Sequence, residues 1–233
     1  MRAIERHKRK LLFAGTFSFV ATCFLFPSSK DGAIATSSSS NLSSTSSSSL
    51  PSPSGETIKP PQPGSVDIFA GGSRSIAALA IGYAEGTLEL DGSPTRAYRG
   101  HKDPGNAEEN LGLFSWQAGG CNTPEECDQL GLKRLSSFYD RLSTMPGGAE
   151  VLSNLEAVLS YLDLSIQAPL AAADFPALYK KHRDVFTARF EAFRDPATGK
   201  LDTTLTGVGI ATLEEDQKRR IDAIRRSIEA PGD

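Results

Sequence analysis

Glu85 is the acid on which chemistry in this chain can be built. It closes an apolar run, Ile76–Ala84, and Gly86 follows at once. The stretch 87–117 behind it is rich in turn formers and carries Tyr98, His101, Asp103, Asn106, Asn110, Ser115, Trp116 and Gln117. Glycoside hydrolysis needs an acid on the leaving oxygen and a group that stabilises or attacks the oxocarbenium side. Glu85 suits the first role. For the second, Glu89, Asp91 and Asp103 are nearest in sequence. Asp103 is the choice, because the turn Asp103-Pro104-Gly105-Asn106 is the one expected to fold back over the end of the apolar run, whereas Asp91 belongs to a turn tip. Tyr98, His101, Asn106, Asn110, Ser115 and Gln117 could bind sugar hydroxyls or acetamido groups. Trp116 is either core or a platform for a sugar ring.

The element that must position Glu85 is a short helix over Ser75–Ala84. Ala77, Ala78, Leu79, Ala80, Ile81 and Ala84 leave almost no polar face, so it should be buried. Gly82 weakens the helix but permits close packing, and Gly86 is a natural stop. A carboxyl at the C-terminal end of a buried helix meets the negative end of the dipole and an apolar setting. Both disfavour its charged form, which suits a general acid at neutral pH. The competing reading is a helix-end acid paired with Arg74, Arg96 or Arg99. After the helix, Thr87–Leu90, the Asp91-Gly92 turn and Thr95–Tyr98 read as a hairpin.

The segment AIGYAEGT, followed by a polar, Gly-rich hairpin, resembles the catalytic segment of the lysozyme-like superfamily, phage-type lysozymes and endolysins in particular. The pattern running from Tyr98-x-Gly-His101-x-Asp103 to Phe114-Ser115-x-Gln117 is also similar to uncharacterised secreted bacterial proteins, cyanobacterial ones among them. The resemblance implies a mainly α (α+β) fold, a lysozyme-like helical domain with a small β-hairpin after the first core helix. It implies Glu85 as the acid that protonates the glycosidic oxygen of a peptidoglycan-type glycan, by hydrolysis or lytic transglycosylation. Phage-type lysozymes place their second acid closer to the Glu than Asp103 stands here.

The chain has 233 residues, 23% of them charged, enough for one domain with a sizeable core. Met1–Lys10 is basic, Leu11–Phe26 is apolar, and Ala33-Ile34-Ala35 offers a small-residue cleavage site. Residues 1–35 thus read as an export signal, either cleaved or kept as an anchor through 11–26. Residues 36–64 are Ser-rich and then Pro-rich, a tether with nothing to bury. The domain is expected over 65–230, in the periplasm, outside the cell, or anchored facing outward. Without the six basic and two acidic residues of 1–35, 19 basic and 26 acidic residues remain, a net charge of −7. Such a domain is a poor nucleic-acid binder.

Cys121 and Cys127 flank Thr123-Pro124-Glu125-Glu126, where Thr123 is an N-cap, Pro124 fits the first helical position and Glu126 completes a capping box. In an oxidising compartment the two should form a disulfide. Helices are expected from Thr123 to Met145, Ala149 to Gln167, Asp174 to Phe193, and from a Thr212-x-x-Glu215 box to Glu229. His182 reads as a core histidine. Lys218-Arg219-Arg220 with Arg225-Arg226 reads as a solvated face.

Other chemistries lack a signature. His101-x-Asp103 has no evident third ligand, so no metal site is expected, and no cofactor. No phosphate loop follows a strand. The two classes left are an exported, monomeric glycosidase acting on peptidoglycan and a non-catalytic exported helical domain that binds glycan or a protein partner.

Overall fold

The computed structural model describes residues 67–102, 108–117, 120–202 and 209–229. The signal and tether expected over 1–64 lie outside them, as do Asp103 and Asn106. Within them the chain is mainly α, with a small antiparallel sheet after the first core helix.

Helix α1, Ile76–Glu85, is the centre of the core. The Ser75 side chain accepts the Ala78 N–H and starts it, and Gly86, at φ 72°, ends it. Ala77, Ala78, Ala80, Ile81 and Ala84 are shut off from solvent. A Cβ on Gly82 would stand 2.8 Å from Leu88 and 3.3 Å from Leu113, so glycine is what lets the next segment lie against the helix.

The other helices are α2 (Pro124–Leu142), α3 (Gly148–Leu152), α4 (Leu155–Gln167), α5 (Pro169–Ala172), α6 (Phe175–His182), α7 (Val185–Ala192) and α8 (Ile210–Glu229), of which α4 and α8 pack most closely on α1. Leu135, Leu142, Leu159, Leu162, Phe175, Phe193, Leu213 and Ile224 fill the space between them. Ile68 is buried and Phe69 meets Tyr139 edge-on at 5.8 Å, which fastens the start of the domain to α2. Thr123 caps α2 by accepting the Glu126 N–H (3.2 Å), while Glu126 reaches back to the Asn122 N–H (2.9 Å) rather than to the cap residue. Cys121 and Cys127 are disulfide-bonded, with Cα atoms 5.2 Å apart. Among the described residues no helix is long and apolar enough to cross a membrane.

Three expected elements differ. The stretch expected as a hairpin over 87–98 makes one antiparallel bridge, Leu88 to Pro94. Asp91 closes the tip by accepting from the Ser93 N–H and hydroxyl, the bonds from Glu89 to Ser93 and from Thr95 to Thr87 flank the bridge, and Ala97–Arg99 then turns as a 3-10 segment instead of continuing the strand. The sheet forms further on, from β1 (His101–Lys102), β2 (Glu109–Leu111) and β3 (Trp116–Gln117), in the order β1-β2-β3. The expected helix 174–193 is broken between α6 and α7. Arg183 adopts φ 56° there, and Asp184 caps α7 by accepting the Thr187 N–H at 2.7 Å. The helix expected over 149–167 is likewise two, because Asn154 restarts the chain by accepting the Ala157 N–H (3.0 Å).

Candidate functional site

The last residue of α1 faces α8. Glu85 Oε1 accepts from Arg220 Nη1 at 2.8 Å, and the same nitrogen donates to Asp163 Oδ1 of α4 at 2.9 Å. Arg220 Nε donates to Asp216 Oδ2 (3.2 Å). Behind Asp163 stands Arg189 of α7. Its Nη2 meets Asp163 Oδ2 at 2.7 Å, its Nη1 the Ser160 carbonyl at 2.7 Å, and its Nε the Gln217 Oε1 at 2.8 Å. Gln167 donates to Asp216 (2.7 Å) and accepts from Gln217 (3.0 Å). Arg219 donates to the Ala84 carbonyl (2.9 Å) and to Asp216 (2.8 Å), which places a cation on the negative end of α1.

Three carboxyl and three guanidinium groups thus form one network across α1, α4, α7 and α8. The Asp163 and Arg189 side chains are wholly buried, and Arg220 and Glu85 keep 9% and 12% of their exposure. Glu85 Oε2 has no hydrogen-bond partner among the described residues. Burial alone would push the Arg220 guanidinium down, but Glu85 and Asp163, with Asp216, hold it above its ordinary value. Asp216 is pushed up by burial and brought below the usual carboxylate range by Arg220 and Arg219.

The partner of Glu85 is therefore Arg220, not Arg74, Arg96 or Arg99. Arg220 belongs to the run read as a solvated face, and it is buried, while Lys218, Arg219, Arg225 and Arg226 are exposed. A signal for it was present. Leu213, Gln217, Arg220, Ile221 and Ile224 share one helical stripe, so two polar residues stand on the apolar face of α8. Asp163 likewise interrupts the apolar run of α4.

The remaining predicted residues gather on the sheet. The register sets His101 opposite Asn110, and Asn110 opposite Gln117, so the three make one row across β1, β2 and β3. Asn110 is buried. His101 Nδ1 lies 3.1 Å from the Ala97 carbonyl, which puts its hydrogen on Nδ1. Ser115 occupies the left-handed region at φ 48° in the turn before β3. Trp116 is half-buried, with the Arg134 guanidinium 5.0 Å over its ring, a cation–π contact.

Tyr98 is tied to a carboxyl that the sequence did not single out. Its hydroxyl donates to Asp128 Oδ2 at 3.2 Å, and Asp128 Oδ1 accepts the Leu113 N–H at 2.6 Å. Burial pushes the Asp128 carboxyl up; the bonds from Leu113 and Tyr98 oppose the shift, and Glu125 adds to it. The Tyr98 hydroxyl is also pushed up, by burial and by Asp128 and Glu125.

Among the described residues no group of three or more His, Cys, Asp or Glu side chains is placed to hold a metal ion. Compared with protein-family models, curated proteins and solved structures, the chain matches none of them. What the arrangement can do follows from its geometry. One oxygen of Glu85 is fixed by a buried guanidinium, and the other has no hydrogen-bond partner among the described residues.

Proposed function

We propose that the domain is an exported glycosidase acting on peptidoglycan-type glycan strands, with Glu85 as the general acid. The observation that carries the reading is the asymmetry of the Glu85 carboxyl, held through Oε1 by Arg220 and unbonded at Oε2. Buried ion networks add little stability over an apolar filling of the same volume, so fold stability alone is a weak reason for this one. Its effect is to fix the direction of Glu85, and a proton donor must be held within a fraction of an ångström of its productive position. In the reaction, Oε2–H donates its proton to the glycosidic oxygen as the C–O bond breaks. The oxocarbenium side is then met by a water or, on the reading from sequence, by Asp103. His101 on β1 and Trp116 on β3 supply sugar-binding groups.

The test is digestion of a peptidoglycan suspension by the purified protein beside Glu85→Gln. Glutamine still accepts from Arg220 but has no proton to give. Cleavage should fall by roughly 10²–10⁴-fold, the share general acid catalysis supplies, with the fold retained. Equal clearing by both proteins removes the acid role from Glu85, and no clearing by either favours the second reading, a non-catalytic exported domain that binds glycan or a protein partner. The observation on that side is that Tyr98 and Asn110 are turned inward, Tyr98 onto Asp128.

A further inference from the structure

We propose that Asp128 is the latch that fastens the small sheet to α2, and that the proton on its carboxyl decides whether the latch is closed. Asp128 stands at the start of α2, next to the disulfide-bonded Cys127, and its side chain is 2% exposed. Its two oxygens hold two separate segments that flank the strands. Oδ1 takes the Leu113 N–H in the turn between β2 and β3, and Oδ2 takes the Tyr98 hydroxyl just before β1. The two points are joined to each other, since the Gly112 N–H donates to the Tyr98 carbonyl at 2.9 Å. The fit leaves no slack: a Cβ on Gly112 would lie 2.5 Å from Asp128 Oδ1 and 2.9 Å from the Pro124 carbonyl.

Among the described residues no cation acts on this carboxyl. From α2 itself comes Glu125, from the segment before β1 comes Tyr98, and from the 112–113 turn comes backbone alone. The Tyr98 hydroxyl gives its hydrogen to Asp128, and both Asp128 and Glu125 push its own ionisation up. A proton on Asp128 supplies the missing donor and removes a buried, uncompensated charge.

The sign follows from linkage. With the sheet attached, burial first and Glu125 after it raise the Asp128 carboxyl; with the sheet lifted, water returns it to the ordinary range. The attached state binds the proton more tightly. It is fully favoured below the ordinary carboxylate range and loses ground as pH rises through the raised value. The row His101–Asn110–Gln117 is therefore held against the body in acid and released towards the alkaline side. This holds whether or not Glu85 is a catalytic acid.

Trp116, the only tryptophan of the chain, sits on β3 opposite Leu111 and reports on the sheet. Its emission and acrylamide quenching are to be followed in the full chain from about pH 3 to about pH 9, a window that brackets the ordinary Asp value near 4. The wild type should show a transition above that ordinary value, with more quenching on the alkaline side. Asp128→Asn carries a donor in place of Oδ2 at every pH, and in it the transition should vanish. Glu125→Gln should lower the midpoint, and Tyr98→Phe should raise it, because the Tyr98 bond opposes the shift. A flat wild-type trace overturns the proposal. So does a transition that survives in Asp128→Asn. If far-UV circular dichroism shows Asp128→Asn unfolded, Tyr98→Phe decides, and an unmoved midpoint overturns the latch.

Discussion

Arg220 divides one nitrogen between two acids: Nη1 lies 2.8 Å from Glu85 Oε1 and 2.9 Å from Asp163 Oδ1. An Nη nitrogen carries two hydrogens, so each acid receives one, and the guanidinium plane is set by the pair together with Asp216 on Nε. The direction of Glu85 is thereby tied to α4 and α7, neither of which supplies its direct partner.

Removing the central cation should cost far more than removing an exposed one. Arg220→Met leaves Asp163 buried with one of its two cations gone and is expected to lower stability by about 3–5 kcal/mol. Arg225, half-exposed and paired with Glu156 at 2.9 Å, is the control, and Arg225→Met should cost under about 1 kcal/mol. Urea unfolding of the two variants checks the contrast. Equal midpoints would show that the network carries no special weight.

Gly131 lies beneath the ring of Phe114, and a Cβ there would overlap it. Gly131→Ala should therefore destabilise by about 1–3 kcal/mol from overpacking. That is opposite in sign to the roughly 0.8–1.0 kcal/mol that alanine gains over glycine in an open helix. Thermal unfolding reads the sign directly.

Asp184 caps α7 and its carboxyl is held below the usual range by the bonds from Thr187. A carboxyl depressed in the folded state contributes stability above its unfolded value and loses that contribution as pH falls through the folded one. Asp184→Ala should cost about 1 kcal/mol at neutral pH. The difference from wild type should shrink in acid below the ordinary Asp range. A difference that stays constant with pH would assign the effect to the helix propensity of the residue instead.

The Cys121–Cys127 bond closes a short loop, six residues apart in sequence. Thiol titration of the non-reduced domain should find no free thiol from this pair. The double serine variant should lose less than the roughly 3 kcal/mol expected for a fifteen-residue loop.

The parts of this fold that were legible in the sequence are those set by near neighbours. Thr123 caps the helix it precedes, the alanines of α1 are buried, and the two cysteines meet. The break between α6 and α7 was hidden because Leu178, His182, Phe186 and Phe190 keep a four-residue step straight through it. Phe186 and Phe190 then stack on each other at 5.8 Å within the second helix. The ladder begun at Leu88–Pro94 stops because Ala97–Arg99 turns as a 3-10 segment. The partner of Glu85 was out of reach for a different reason. Local pattern says that Arg220 lies on an apolar stripe, but nothing nearby says which acid it meets.

That partner lies 135 residues further on, and the distance bears on how the domain is made. During synthesis Glu85, Asp163 and Arg189 leave the ribosome before the residue that unites them. Until α8 arrives, α1 lacks both its acid's partner and the arginine on its final carbonyl. Closing so long a loop is slow relative to forming the local helices. The last helix thus acts as the completing step of folding. A chain cut before Ile210 should emerge as a protease-sensitive intermediate with its charged centre open to water.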